Sequence, residues 1–133
     1  MKKIDHIGIA VKDLDASNKL FASLLNSDCY KIEDLPRQKV LTSFFKTDLQ
    51  KIELIAATDP SSPISKFLKK KGEGIHHIAF EVEDIYEEIS RLKNEGFIPL
   101  DEAPSQGADN KLIVFFHPKS TNGVLIELCQ EIK

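Results

Sequence analysis

An internal repeat constrains this chain more than any other feature. Ile4-Asp5-His6-Ile7-Gly8-Ile9-Ala10-Val11 reappears 71 positions later as Ile75-His76-His77-Ile78-Ala79-Phe80-Glu81-Val82. Each copy runs into an acidic helix start, Lys12-Asp13-Leu14-Asp15 and Glu83-Asp84-Ile85-Tyr86. The tripeptide Ile-Glu-Leu then recurs as Ile52-Glu53-Leu54 and Ile126-Glu127-Leu128. Self-similarity of this kind marks one supersecondary plan used twice. The chain has 133 residues, so the two copies are expected within a single domain.

Apolar periodicity within each half reads as a strand, a helix and three further strands. In the second helix Asp84 is placed to cap, Glu87 stands three residues on, and Ile85, Ile89 and Leu92 recur at helical spacing before Gly96. In the first, Asp13 precedes a helix whose Leu14, Leu20, Phe21, Leu24 and Leu25 suggest a broad buried face. The remaining strands are expected over Cys29–Glu33, Val40–Lys46 and Lys51–Ala57, then over Phe97–Leu100, Leu112–Phe116 and Val124–Cys129. Ser62-Pro63 opens a short connecting helix that Gly72 closes. One βαβββ unit cannot cover both faces of its own sheet. The expectation is therefore an α+β fold of two tandem βαβββ modules, approximately 1–58 and 74–133, with a helical connector over 59–73. Their curved sheets would together form a cup.

Strand alternation sorts the polar side chains. Ile7, Ile9 and Val11 form the row that packs under a helix, which turns His6, Gly8 and Ala10 the other way. In the second copy Ile78, Phe80 and Val82 take the helix side and His77 the opposite one. Glu53 and Glu127 each sit between apolar neighbours and point away from them. A lone strand histidine is usually a hydrogen-bonded structural residue, and a lone glutamate a solvated strand face. Two histidines and two glutamates at equivalent places on one face point instead to a metal site: His6, Glu53, His77 and Glu127. Two nitrogen and two oxygen donors suit a six-coordinate divalent ion with two positions open. Parity sends His76 towards the helices, in a structural role. Lys119 and Ser120, in the turn after His117-Pro118, stand where the rim of the cup would touch an anionic group of a substrate.

Lys and Arg number 18 against 21 Asp and Glu, and the longest basic run is Lys69-Lys70-Lys71. No electrostatic footprint for a phosphate backbone exists, so nucleic acid is not an expected partner. Charge at Lys2, Lys3 and Asp5 interrupts any signal-like start, and no apolar run reaches spanning length. A cytoplasmic protein without a membrane partner is expected. Cys29 and Cys129 lack metal or redox spacing and read as reduced structural thiols.

The first repeat copy, the Ser62-Pro63-Ile64 and Lys66-Phe67-Leu68 segments, Gly72-Glu73-Gly74-Ile75-His76-His77-Ile78-Ala79-Phe80, His117-Pro118-Lys119-Ser120 and Gly123-Val124-Leu125-Ile126-Glu127-Leu128 resemble the methylmalonyl-CoA epimerase family. That family lies within the vicinal-oxygen-chelate superfamily, which also holds glyoxalase I and extradiol dioxygenases. The resemblance covers nearly the whole chain and implies metal ligation by His6, Glu53, His77 and Glu127. It further implies interconversion of (R)- and (S)-methylmalonyl-CoA by α-proton transfer through a metal-stabilised enolate, with Glu127 exchanging the proton. A divalent ion (cobalt, manganese, nickel or zinc), an acyl-CoA substrate and a homodimer are implied as well. Some members carry a second catalytic glutamate where this chain has Thr42, and threonine is a poor general base. The alternatives are a glyoxalase I-like lactoylglutathione lyase using the same four ligands and a non-enzymatic binding protein of the same fold. Whether the modules pair within one chain or are swapped between two is left open by the sequence.

Overall fold

A computed structural model describes residues 1–133. The chain comprises β1 (Lys3–Ala10), α1 (Leu14–Leu25), β2 (Lys31–Leu35), β3 (Val40–Lys46), β4 (Lys51–Ala57), α2 (Pro63–Lys71), β5 (Gly74–Glu81), α3 (Ile85–Asn94), β6 (Ser105–Gln106), β7 (Lys111–Phe116) and β8 (Ile126–Glu131). These are the two βαβββ modules expected from the repeat, joined by α2. The chain divides into two compact units, one of residues His6–His76 and one of Met1–Asp5 with His77–Lys133. No helix is long and apolar enough to cross a membrane.

In the first unit the strands run in the order β2-β3-β4-β1. β1 and β4 are parallel, and the other pairs antiparallel. Asp13 caps α1 by accepting from the backbone N–H of Ala16, and Asn26 ends it in the left-handed region at φ 52°. Leu14, Phe21, Ala22 and Leu25 pack with Ile9, Val11, Phe45, Leu54 and Ile52 on one face of the sheet. Full burial of a side chain such as Phe45 contributes about 1.5–3 kcal/mol. Leu20 and Leu24 do not join this face and are 65% and 70% exposed. At ~100° per residue they fall to one side of the stripe set by Leu14, Phe21 and Leu25, so the expected face is narrower than the leucine count suggests.

The opposite face of the same sheet is covered at one end by α2, whose Ile64, Phe67 and Leu68 pack with Ala10, Val40, Ile55 and Ala57. The Ser62 side chain caps α2 by accepting from the N–H of Ile64. Gly72 follows the helix at φ 78°. Lys69, Lys70 and Lys71 occupy the last turn, where positive charge complements the helix dipole. The loop after α2 is fixed by Glu73, whose carboxylate accepts from the N–H of Lys12 at 2.8 Å.

Ser43 on β3 is fully buried, and its hydroxyl has no hydrogen-bond partner. A buried hydroxyl without a partner carries an uncompensated desolvation cost. Ser43→Ala is expected to raise stability by about 1 kcal/mol, read as a higher urea midpoint at unchanged slope.

The second unit repeats the plan with strand order β5-β8-β7-β6. β5 and β8 are parallel, and β7 is antiparallel to both its neighbours. Asp84 caps α3 by accepting from Tyr86 and Glu87 N–H groups. Ile85, Ile89 and Leu92 bury against Val82, Val114, Phe116 and Leu128. Gly96 turns the chain away from α3 at φ 97°. The strand expected over Phe97–Leu100 is reduced to a single bridge between Pro99 and Phe116. Pro99 has no N–H to give to a ladder. The outer strand of this sheet is instead the two-residue β6. Cys29 and Cys129 are both free thiols.

Candidate metal centre

Each unit carries one histidine–glutamate pair, and the same register produces both. In the first unit the parallel β1–β4 ladder sets Gly8 opposite Glu53, and His6 lies two residues before Gly8, on the same face. In the second the parallel β5–β8 ladder sets Ala79 opposite Glu127, and His77 lies two residues before Ala79. Strand partners directly opposite one another share a face. A glycine or alanine in that place leaves the glutamate room to lean towards the histidine two positions back. Ile52 and Leu54, and Ile126 and Leu128, pack on the helix faces, so alternation turns both glutamates the other way, as the sequence pattern implies.

The pairs are close and dry. His6 Nδ1 stands 3.1 Å from Glu53 Oε2, with both side chains 6% exposed. His77 Nε2 stands 2.9 Å from Glu127 Oε1, with 4% and 6% exposure. The His77 ring also meets Phe115 edge-on, with centroids 5.3 Å apart and planes at 90°. Burial of an imidazole beside a carboxylate on an otherwise apolar strand face is costly unless the groups satisfy one another or coordinate an ion. In each unit the imidazole nitrogen and the carboxylate oxygen are near enough to hold a metal. Neutral imidazole and carboxylate are donors that divalent first-row ions accept.

Other residues singled out in the sequence take the following places. His76 meets the Phe67 ring of α2 edge-on at 5.0 Å, which is a structural contact. Lys119 and Ser120 form a short 3-10 turn directly after β7. The Ser120 hydroxyl donates to the His117 carbonyl at 2.9 Å, and His117 Nδ1 accepts from the Lys119 N–H at 3.0 Å. Lys119 is exposed. Thr42 is 2% exposed and lies opposite Ile55 on β4, on the face that Glu53 occupies.

Sequence reasoning overlooked a buried ion pair in the second unit. Lys111 Nζ lies 2.7 Å from Asp5 Oδ1, with side chains 6% and 4% exposed. Ile113 and Phe115, which alternate with Lys111 along β7, pack with Ala79 and Cys129 rather than with α3. A lysine in phase with these buried apolar residues was the available signal.

The family model for the Glyoxalase/Bleomycin resistance protein/Dioxygenase superfamily matches residues 5–115. The chain is 39% identical over 130 residues to the ethylmalonyl-CoA/methylmalonyl-CoA epimerase of Cereibacter sphaeroides, covering 96% of this chain and 97% of that one. Among solved structures, methylmalonyl-CoA epimerase from Mycobacterium tuberculosis superposes with a TM-score of 0.93 at 34% identity, covering 98% of this chain and 89% of that one. A methylmalonyl-CoA epimerase in complex with methylmalonyl-CoA and ammonium superposes with a TM-score of 0.92 at 32% identity, covering 98% and 95%. With its two βαβββ modules and full-length relatives, the chain belongs to the glyoxalase/bleomycin resistance protein/dioxygenase superfamily, on the branch that holds the methylmalonyl-CoA epimerases.

Proposed function

We propose that this protein is an isomerase that interconverts the (R) and (S) epimers of methylmalonyl-CoA. The observation that carries this reading is likeness over the full chain to methylmalonyl-CoA epimerases, in sequence and in structure. One such structure holds methylmalonyl-CoA itself, which supports an acyl-CoA substrate. His6, Glu53, His77 and Glu127 are the proposed ligands of one divalent ion. Their support is the pairing of His with Glu at the same register in both units. Such an ion, when bound, supplies Lewis-acid stabilisation of the charge on an enolate.

The work of this chain's own residues follows from the chemistry. The α-proton lies between a thioester carbonyl and a carboxylate, and its removal needs a carboxylate base within hydrogen-bond reach. Glu127, whose side chain is 6% exposed, is proposed for that role. The exposed Lys119 and the neighbouring Ser120 are proposed to meet an anionic group of the substrate. A cytoplasmic homodimer is the proposed state of the protein.

Incubation of cobalt(II)-loaded protein with methylmalonyl-CoA in deuterated water tests the reading. Deuterium uptake at the α-carbon with interconversion of the epimers is the expected result. No uptake, together with isomerisation of the hemithioacetal of glutathione and methylglyoxal, would replace it with a glyoxalase-like reaction.

A further inference from the structure

The carbon that loses its proton carries three other groups. A thioester and a carboxylate are polar, and the third is a small alkyl group, which apolar surface recognises. We propose that Phe115 is that surface, its ring meeting the α-alkyl group of the acyl-CoA and setting the largest group accepted. The inference rests on the epimerase reading above, with Glu127 as the group that takes the proton.

A carboxylate that removes the proton stands within hydrogen-bond reach of it, so the alkyl group on the same carbon falls among the immediate neighbours of Glu127. Strand pairing within the second unit names them. β5 sets Ala79 opposite Glu127 on one side, and β7 sets Phe115 opposite it on the other. Cys129 lies two residues further along β8, with Ile113 opposite it on β7. Alternation puts all four on the face of Glu127. Ala79 and Cys129 are fully buried, and Ile113 is 8% exposed. Phe115 packs with these three and is half-buried. Of these apolar neighbours it alone keeps substantial surface that a ligand can touch.

Directly opposed residues of an antiparallel pair have Cβ atoms about 4.5–5.5 Å apart, so the Phe115 ring stands beside the Glu127 side chain. His77 touches both, with Nε2 2.9 Å from Glu127 Oε1 and its ring 5.3 Å from that of Phe115, at 90°. Contact with His77 and packing with Ala79, Ile113 and Cys129 leave the phenyl ring little freedom to move aside. A wall that does not yield selects by size. The first unit carries the equivalent ring in a different state. Phe44 lies opposite Glu53, but it is fully buried, with Lys31 Nζ 4.5 Å and the Tyr30 ring 6.1 Å from its centroid. The repeat thus sets a phenylalanine opposite each glutamate and leaves only the second one open to a ligand.

The test gives cobalt(II)-loaded wild-type protein, Phe115→Leu and Phe115→Ala the methylmalonyl, ethylmalonyl and propylmalonyl esters of CoA in turn. The quantity read is kcat/KM for α-proton exchange in deuterated water, as the ratio of each longer ester to the methyl one. Any loss of folded or metal-loaded protein cancels in that ratio. The wild-type values should fall along the series, and Phe115→Ala should raise the propyl-to-methyl ratio by about 10-fold or more, the scale on which an apolar pocket distinguishes single methylenes. Phe115→Leu should move it in the same direction to a smaller extent, and it decides the matter if the alanine variant does not fold. General damage to the site does not favour a longer ester over a shorter one. Ratios that stay at the wild-type value, or fall, would overturn the proposal. Absence of exchange by the wild-type protein with all three esters is a distinct result, which overturns the epimerase reading and this inference with it.

Discussion

His77→Ala is expected to lower cobalt(II) affinity by well over 10²-fold, since loss of even an outer partner of a ligand typically costs 10–100-fold. The ring is one of the two buried imidazoles, and it is held on one side by Glu127 at 2.9 Å and on another by the edge of Phe115. Alanine leaves a space next to a carboxylate that is 6% exposed. Epimerisation should drop by roughly 10³-fold, on the scale of losing a preorganised electrostatic contact to the developing enolate. Equilibrium dialysis with cobalt(II) and the intensity of its visible absorption read the first effect, and α-proton exchange the second. His6→Ala should behave in the same way, because Gly8–Glu53 and Ala79–Glu127 are equivalent pairs of the two ladders. Full cobalt binding by His77→Ala would remove this residue from the ligand set.

Asp5→Ala is expected to be the most destabilising single change outside the apolar core, costing about 3–5 kcal/mol. The reason is asymmetric. Lys111 Nζ lies 2.7 Å from Asp5 Oδ1 in a region where both side chains are nearly inaccessible. Removing the carboxylate leaves an ammonium without the counter-charge that offset its desolvation. The melting temperature of the metal-free protein should fall by roughly 10–20 °C. Replacing both partners, as Asp5→Leu with Lys111→Met, should return most of the loss, because a well-packed apolar pair carries no desolvation cost. A single substitution as mild as a surface change would show that water reaches the pair.

Local residues made much of this architecture legible. Asp13 and Asp84 cap the helices that their positions suggested, and β3 and β4 have the limits expected from their apolar runs. Alternation along β1, β4, β5 and β8 sorted His6, Glu53, His77 and Glu127 from the apolar rows, since a strand's two faces are fixed by its own period of two. The failures were also local in origin. Leucine content widened the expected face of α1 beyond the stripe that the sheet covers, and Pro99 removed the donor that a strand over Phe97–Leu100 needed.

Partnership was decided elsewhere. Nothing in the order of residues sets Gly8 opposite Glu53 or Glu33 opposite Thr42, because those facts belong to hydrogen-bonded registers between strands distant along the chain. Asp5 and Lys111 are separated by 106 positions and become an ion pair only when β7 folds within the second unit. The sequence by itself determined the repeat, the elements and the chemical kind of each side chain on each strand face. Tertiary structure decided which of those side chains meet, since only strand pairing brings their charges into a common environment from which water is excluded.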